Sequence, residues 1–333
     1  MRSPFTGGEV ELLYEKKKIE FRKDFFDITQ LYYKCVESSE EFSTDELDQV
    51  NLNQLYNQYR VKYGLPFPEE IKEIRTQYKL SAAKISEILG LGINSYRQYE
   101  SGDIPTVANG RLILAAKDPE EFMKFLDASR SILSQKDYEK YKSTCTSLID
   151  NKSRNFWDLM FSQKVFKNSK PSALNGFKVP REEKVAKIIG YFSHHIKDLF
   201  KTKLNKLLFY SDFLHYRNTG YSISGIAYRA IQMGPVPAEY DKLYIKLVDD
   251  NLVKLEYVKF NKGYGEALTG NIPFCDNFTQ TEISAMNQVI KKFGSKTTNE
   301  MVNISHMEEA WLDNENSKGI IDYSKYAFQI SQI

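Results

Sequence analysis

Three cysteines in 333 residues, Cys35, Cys145 and Cys275, are too few and too far apart to form a C-x-x-C pair. Their scarcity excludes a disulfide scaffold and a cysteine-based zinc site, and it fits a reducing cytoplasm. Long apolar runs are missing as well. None approaches the length of a membrane span, and the first residues lack the charged-then-apolar order of a signal peptide. A dominant charge is the third absence. With 46 basic and 44 acidic residues the formal net charge is only +2, so the chain is no polycation. Any contact with nucleic acid must come from a local surface, such as one helix in a groove. Histidine is sparse too: His194, His195, His215 and His306 are all there is. With Asp212 they make the one conceivable reactive set, yet no H-E-x-x-H, nucleophile elbow or glycine-rich phosphate loop accompanies them. Asp212 and His215, three apart on one helix, read as a structural hydrogen bond. The pattern speaks against an enzyme.

Aromatic residues are abundant instead, at 14%, with 22 Tyr and 21 Phe. That share is expected to fill large half-wet cores rather than form an aromatic recognition surface. Hydrophobic and charged fractions of 41% and 27% are those of a globular chain, and the length calls for two or three domains.

Residues 1–53 read as short strands and turns, with Pro4-Phe5-Thr6-Gly7-Gly8 as a turn signal. A helix follows, placing Leu47, Val50, Leu52, Leu55, Tyr56 and Tyr59 on one apolar face. Gly64-Leu65-Pro66-Phe67-Pro68 breaks the chain. Pro68, Glu69 and Glu70 suit a first helical turn, and Ile71, Ile74 and Tyr78 form its buried stripe. Ser81 caps a second helix carrying Ile85, Ile88 and Leu89. After Gly90-Leu91-Gly92, a third helix is expected to turn Ile93, Tyr96 and Tyr99 inward, with Asn94, Ser95, Arg97 and Gln98 outward and Gly102 at its end. Residues 111–149 read as helical, and 151–180 as a connector holding the packed piece Phe156-Trp157-Asp158-Leu159-Met160. A fresh periodic pattern begins at Arg181. It predicts helices through Val185, Ile188, Ile189 and Phe192, and through Leu204, Leu207, Leu208 and Leu214. Strands are predicted at 226–231 and 252–260, and further helices at 239–248 and 297–311. Thr279-Gln280-Thr281-Glu282 is a capping box. Gly234-Pro235-Val236-Pro237 reads as a rigid, exposed turn.

Helix, short turn and helix between residues 68 and 102 have the dimensions of a helix-turn-helix, whose second helix sets its early polar residues against base edges. A plain helical hairpin fits the same spacing. Arg60, Lys62, Lys72, Arg75, Lys79, Lys84, Arg97 and Arg111 tilt the local charge only slightly toward DNA. The stretch Leu80-Ser81-Ala82-Ala83-Lys84-Ile85-Ser86-Glu87-Ile88-Leu89 with Asn94-Ser95-Tyr96-Arg97-Gln98-Tyr99 resembles the Xre-type helix-turn-helix of MqsA-type antitoxins. The resemblance puts Asn94 on that family's base-reading asparagine. Gln98 stands at its arginine, with Arg97 one place earlier. It implies a DNA contact through Asn94, Ser95, Arg97, Gln98 and Lys84, with arginine reading guanine and asparagine or glutamine reading adenine. More faintly, Ser3-Pro4-Phe5-Thr6 stands where the family has a CPxC zinc knuckle, and Leu31-Tyr32-Tyr33-Lys34-Cys35-Val36 where it has the second cysteine pair. With Cys35 alone surviving, out of register, four thiolates cannot be assembled. No metal and no other cofactor is expected.

A second resemblance lies further on. Lys203-Leu204-Asn205-Lys206-Leu207-Leu208-Phe209-Tyr210-Ser211-Asp212-Phe213-Leu214-His215-Tyr216-Arg217, Gly220-Tyr221-Ser222-Ile223-Ser224-Gly225 and Met233-Gly234-Pro235-Val236-Pro237 resemble the signature of the Panacea, or SocA-like, domain. That resemblance implies neutralisation of a protein toxin by direct binding. Tyr210, Tyr216, Arg217, Tyr228 and Tyr240, near the signature, are the first candidates for the toxin contact, since aromatic and arginine anchors dominate interfaces.

The expected architecture is therefore α+β and predominantly helical. A metal-free, β-rich, zinc-ribbon-like module spans residues 1–65, a helix-turn-helix domain 66–130 and a helical connector 131–180. A mostly helical Panacea domain with a short antiparallel sheet spans 181–333, and is expected to neutralise its toxin without the DNA-binding half. The expected function is that of a cytoplasmic type II antitoxin and autorepressor, with a cognate toxin and operator DNA as partners. A homodimer is expected, because operator palindromes mirror protein two-fold symmetry. The alternatives are a stand-alone transcriptional regulator with a C-terminal sensor, and a proteolysis adaptor.

Overall fold

In the computed structural model, which describes residues 1–152, 164–166, 169–260, 263–274 and 278–333, two long strands open the chain. Cys275 and the packed piece at Phe156 to Met160 lie outside the described residues. Strands β1 (Val10–Phe21) and β2 (Asp24–Cys35) pair antiparallel, from Phe21 opposite Asp24 to Val10 opposite Cys35. Only Arg22 and Lys23 remain for the turn, and both take left-handed angles, φ 49° and 72°. Such a turn matches the strand twist and ordinarily carries asparagine or glycine. β3 (Glu41–Phe42) covers the far edge of β2 for two residues. Beyond it, side chains of α1 (Asp45–Tyr63) close that edge. Asn51 accepts from Leu31 N at 2.8 Å and donates to Leu31 O at 3.0 Å; Gln54 does the same for Thr29 at 3.0 and 2.8 Å. Three apart on a helix and two apart on a strand are matching spacings, so two amides stand in for a neighbouring strand.

The chain divides into two compact units, Met1–Leu55 with Ser162–Ile333 and Tyr56–Phe161, the division falling within α1. The boundaries expected at residues 65/66 and 130/131 do not coincide with it. Within the first unit, Leu31, Leu47 and Val50 form a small core that takes in Leu12, Tyr33 and Phe328. Asn53 donates to Thr219 O at 2.8 Å, and Phe328 lies 6.1 Å from Tyr14 on one side and 6.1 Å from Tyr216 on the other. The N-terminal hairpin thus packs on the C-terminal half of the chain.

That half is built around α9 (Lys201–Thr219), which follows α8 (Glu182–His195). From Lys203 to Tyr216 every residue of α9 is buried. A helix buried all round is ordinarily apolar. This one carries polar residues; Ser211 bonds within the helix, to Leu207 O, and the others reach neighbouring segments. Lys203 donates to Gly294 O and Lys296 O at 2.7 and 2.6 Å, and Asn205 accepts from Tyr244 OH at 2.5 Å. His215 Nδ1 meets Tyr221 O at 2.7 Å, and its Nε2 meets Thr281 Oγ1 at 3.3 Å. Asp212 Oδ1 accepts from Ile223 N and Ser224 N, both at 2.8 Å, while Oδ2 accepts from Tyr228 OH at 2.7 Å and from Ser224 Oγ. Burial pushes the Asp212 carboxyl upward in pKa, against these four hydrogen bonds. The structural role expected of Asp212 and His215 is present, but they do not bond each other. Around α9 lie β4 (Tyr228–Ile231), β5 (Gly234–Pro237), α10 (Tyr240–Asp249), β6 (Val253–Phe260), β7 (Gly263–Gly270), α11 (Gln280–Phe293), α12 (Thr298–Ser305), α13 (Glu309–Leu312) and α14 (Tyr323–Tyr326). β4 pairs with β5 and β6 with β7, both antiparallel. The capping box expected at Thr279 and Glu282 forms, but the single helix expected over 297–311 is two.

The second unit packs α2 (Pro68–Gln77), α3 (Ala82–Ile88), α4 (Ser95–Glu100), α5 (Val107–Ala115), α6 (Pro119–Ala128) and α7 (Gln135–Lys152) around one apolar cluster. Tyr78 stacks on Phe122 at 3.9 Å and donates to Ala116 O; Tyr96 OH reaches Ile71 O at 2.8 Å. Among the described residues no helix is long and apolar enough to cross a membrane.

Asp212→Ala removes the acceptor for Ile223 N, Ser224 N, Ser224 Oγ and Tyr228 OH at once. A stranded buried donor costs about 1–3 kcal/mol, so the expected loss is about 4 kcal/mol or more, read as a lower urea midpoint. Asp212→Asn keeps one acceptor oxygen and should lose less. Equal midpoints for Asp212→Ala and the unaltered chain would remove Asp212 from this role.

Candidate functional site

The turn between α3 and α4 is held from inside. Ser81 caps α3 by accepting from Lys84 N at 3.2 Å. Ser86, fully buried, accepts from Leu91 N through its carbonyl at 2.8 Å and from Tyr96 N through its hydroxyl at 3.3 Å. Ser95 N donates to Gly92 O at 2.9 Å, which continues the turn into α4. With Tyr96 buried and Tyr99 half-buried, the outer side carries Asn94, Arg97 and Gln98 exposed and Ser95 half-buried. Lys84 is half-buried, its ammonium 2.7 Å from Glu87 Oε2. Ile93, expected inward, is 76% exposed. It sits in the turn ahead of the helix, where helical spacing does not govern direction, and Tyr96 fills the core place instead. Two of the basic residues that suggested a DNA surface are internal braces. Arg60 is buried and donates to Gly102 O at 2.6 Å; Arg75 holds Glu100 at 2.6 and 3.2 Å and Leu80 O at 2.8 Å.

The surviving Cys35 lies at the far end of the N-terminal hairpin. Ser3-Pro4-Phe5-Thr6 faces Cys35 and Ser38: Thr6 Oγ1 lies 3.4 Å from Cys35 Sγ, and Ser38 N donates to that sulfur at 3.5 Å. Cys35 is sealed from solvent, and hydrogen bonds from Ser3, Ser38 and Thr6 outweigh that burial and draw the thiol down to about 6. One thiol among hydroxyls is not a zinc donor set. Among the described residues no group of three or more His, Cys, Asp or Glu could hold a metal. Phe42 packs on Phe5 at 5.7 Å and Tyr33 at 5.6 Å, the aromatic support of this tip.

The toxin-contact candidates divide. Tyr210, Tyr216 and Tyr228 are buried and belong to the core: Tyr210 lies 4.6 Å from Phe293, Tyr216 donates to or accepts from Ser324 Oγ, and Tyr228 binds Asp212. They offer no surface to a partner: Tyr210 and Tyr216 lie on the stretch of α9 that is buried all round, and Tyr228 is buried at the start of β4. Arg217 and Tyr240 are half-buried. Arg217 donates to Ile330 O and Ile333 O at 3.3 and 3.2 Å, and the Tyr240 ring lies 5.3 Å from Lys201 Nζ. On the Tyr240 side, a cleft of about 710 Å³ between the starts of α9 and α12 is lined by Lys197, Lys201, Lys203 and Lys296 with Asp198 and Glu266. Lys201 pairs with Asp241 and Glu266 at 2.9 and 3.3 Å.

The histidines are not assembled into a reactive set. His215 is held within the core, where burial takes it down to about 4, and His306 stacks on Trp311 at 3.8 Å. His194 and His195 end α8, beside Phe274 and Tyr191. The segment Gly234 to Pro237 is not an exposed turn. It is β5, buried throughout, and Lys206 explains it: its ammonium, sealed from solvent, donates to Pro235 O at 3.0 Å. A Cβ at Gly234 would collide with Ser305 Oγ and come within 2.7 Å of Lys206 Cε. Sequence reading missed Lys206, whose spacing on the helix marked it as buried, and the hydroxyls around Cys35, whose S-x-x-T spacing carried the signal.

Residues 204–312 match the family described as Antitoxin SocA-like, Panacea domain. No curated protein and no solved structure matches the chain.

Burial brings Lys206 down to about 7 from an ordinary 10.5. Between those values the unfolded chain holds a proton that the folded chain has released, so stability must rise with pH across that window, by up to about 1.4 kcal/mol per pH unit. Urea midpoints at pH 7.5 and 9.5 should therefore diverge for the unaltered chain more than for Lys206→Met. An identical pH response in both would show that Lys206 stays charged when folded.

Proposed function

We propose that this chain is a non-catalytic antitoxin that binds a protein toxin through its first unit and the operator of its own operon through α4. The observation that carries the antitoxin reading is the Panacea match at residues 204–312, which opens on the buried helix α9. The DNA reading is supported by Asn94, Arg97 and Gln98 standing exposed on one side of a braced helix-turn-helix, with Tyr96 locking the other side. Binding as a homodimer would match a palindromic operator, and both partners place the work in the cytoplasm. Of the toxin-contact candidates, Arg217 and Tyr240 remain, as they keep some surface. The neutralising unit includes the N-terminal hairpin, since Leu12, Leu31 and Val50 pack with Phe328. A fragment of residues 181–333 would expose that apolar face, and it is expected to rescue cells less well than the full chain.

Asn94→Ala with Arg97→Ala separates the two activities. Loss of a base-reading pair costs about 1–3 kcal/mol, so the double variant should release the upstream promoter in an electrophoretic shift. It should still rescue cells that express the toxin co-purified from the native operon. Unchanged promoter binding would defeat the DNA assignment. Promoter binding without any rescue by the unaltered chain would favour the stand-alone regulator.

A further inference from the structure

Ile93 is the most exposed large apolar side chain among the described residues, at 76%. A single exposed apolar residue ordinarily needs no explanation. This one has two features that call for one. It is held outward by a fixed backbone, because Ser95 N on Gly92 O, Leu91 N on Ser86 O and Tyr96 N on Ser86 Oγ leave the turn no freedom to fold it in. It also stands next to Asn94 and one turn ahead of Arg97, on the side of the motif whose other exposed residues are hydrogen-bonding types. Those types read donors and acceptors on base edges. The one apolar mark in the major groove is the 5-methyl group of thymine, which an aliphatic side chain recognises by contact.

We infer that Ile93 is a specificity-determining residue: its side chain packs on the methyl group of a thymine beside the base met by Asn94. This rests on the DNA-binding reading above and adds one base to it. Burial of Ile93 against that methyl returns the exposed apolar surface to a dry contact, and the preference it creates is for thymine over cytosine, which lacks the methyl.

The test replaces a single methyl group. Sequences selected from a random duplex pool by the full-length chain define the preferred site, and each thymine in it is then exchanged for deoxyuridine. One thymine per half-site should weaken binding by about four-fold when its methyl is removed, the weight of one buried methyl group. The same exchange should leave the affinity of Ile93→Ala unchanged, and that variant should unfold at the same urea concentration as the unaltered chain, because the side chain supports nothing in the fold. A selected site at which every exchange affects both proteins equally would overturn the inference and leave DNA binding standing. Failure to select any sequence would overturn both.

Discussion

The Asp212 carboxylate lies in the middle of a helix that has no solvent face, and the segments around that helix are arranged to satisfy it. Two backbone amides, a serine and a tyrosine point at its oxygens. A buried carboxylate without donors would be strongly unfavourable, so the loop at residues 220–225 and the start of β4 are not free to take another course. Gly220, left-handed at φ 77°, ends α9 and turns the chain back toward Asp212 within three residues. The same logic runs along the helix. Lys203 secures the end of α11, Asn205 secures α10, Lys206 secures β5 and His215 secures both the 221 carbonyl and the start of α11. Apolar burial collapses such a core; these directed bonds decide which segment lies where.

That division of labour explains why most of the signature is buried, Met233 being an exposed exception. Tyr210, Tyr216 and Tyr228 look like interface anchors by type, and they are core. A sequence motif in a binding domain can mark the scaffold rather than the contact. The residues that keep some surface are less distinctive ones, such as Tyr240 on α10, whose ring lies beside Lys201 at the edge of the cleft.

Local signals were legible in the sequence. Ser81, Pro68 and the box of Thr279 and Glu282 act within one helical turn, and each helix starts where they stand. The stripe of Ile71, Ile74 and Tyr78 and the predominantly helical α+β class were legible for the same reason: periodicity is a property of the chain itself. What was not legible depended on distant partners. The helix expected over 297–311 stops at Ser305, and Glu308 takes extended angles, with its carboxylate accepting from Ser331 N and Gln332 N of the distant C-terminal segment at 3.0 and 3.2 Å. β7 was unforeseen because its glycines are poor strand formers; Gly270 is there so that it can meet Gly190 of α8 backbone to backbone. The hairpin turn at Arg22 and Lys23 carries neither of the usual residues, so its register came from strand pairing and not from turn chemistry.

The candidate DNA site shows the same limit at the level of single side chains. Asn94, Arg97 and Gln98 could be placed outward because Tyr96 and Tyr99 fix the helix face. Ile93 could not, since one residue before a helix the period of 3.6 no longer applies. Charge was the least reliable guide. Arg60 and Arg75 counted toward a basic surface, yet both are spent on carbonyls and Glu100 inside the unit. Of the others, Lys62, Lys72, Lys79, Arg97 and Arg111 stay exposed, while the exposed polar residues at the start of α4 are one arginine and two amides, Arg97, Asn94 and Gln98. On any such surface, lysines set against phosphates would position a duplex without reading it, and only side chains set against base edges would carry sequence preference. A contact of that kind depends on the fit of a few side chains, and it makes the orientation of each one, Ile93 included, matter more than the charge of the whole.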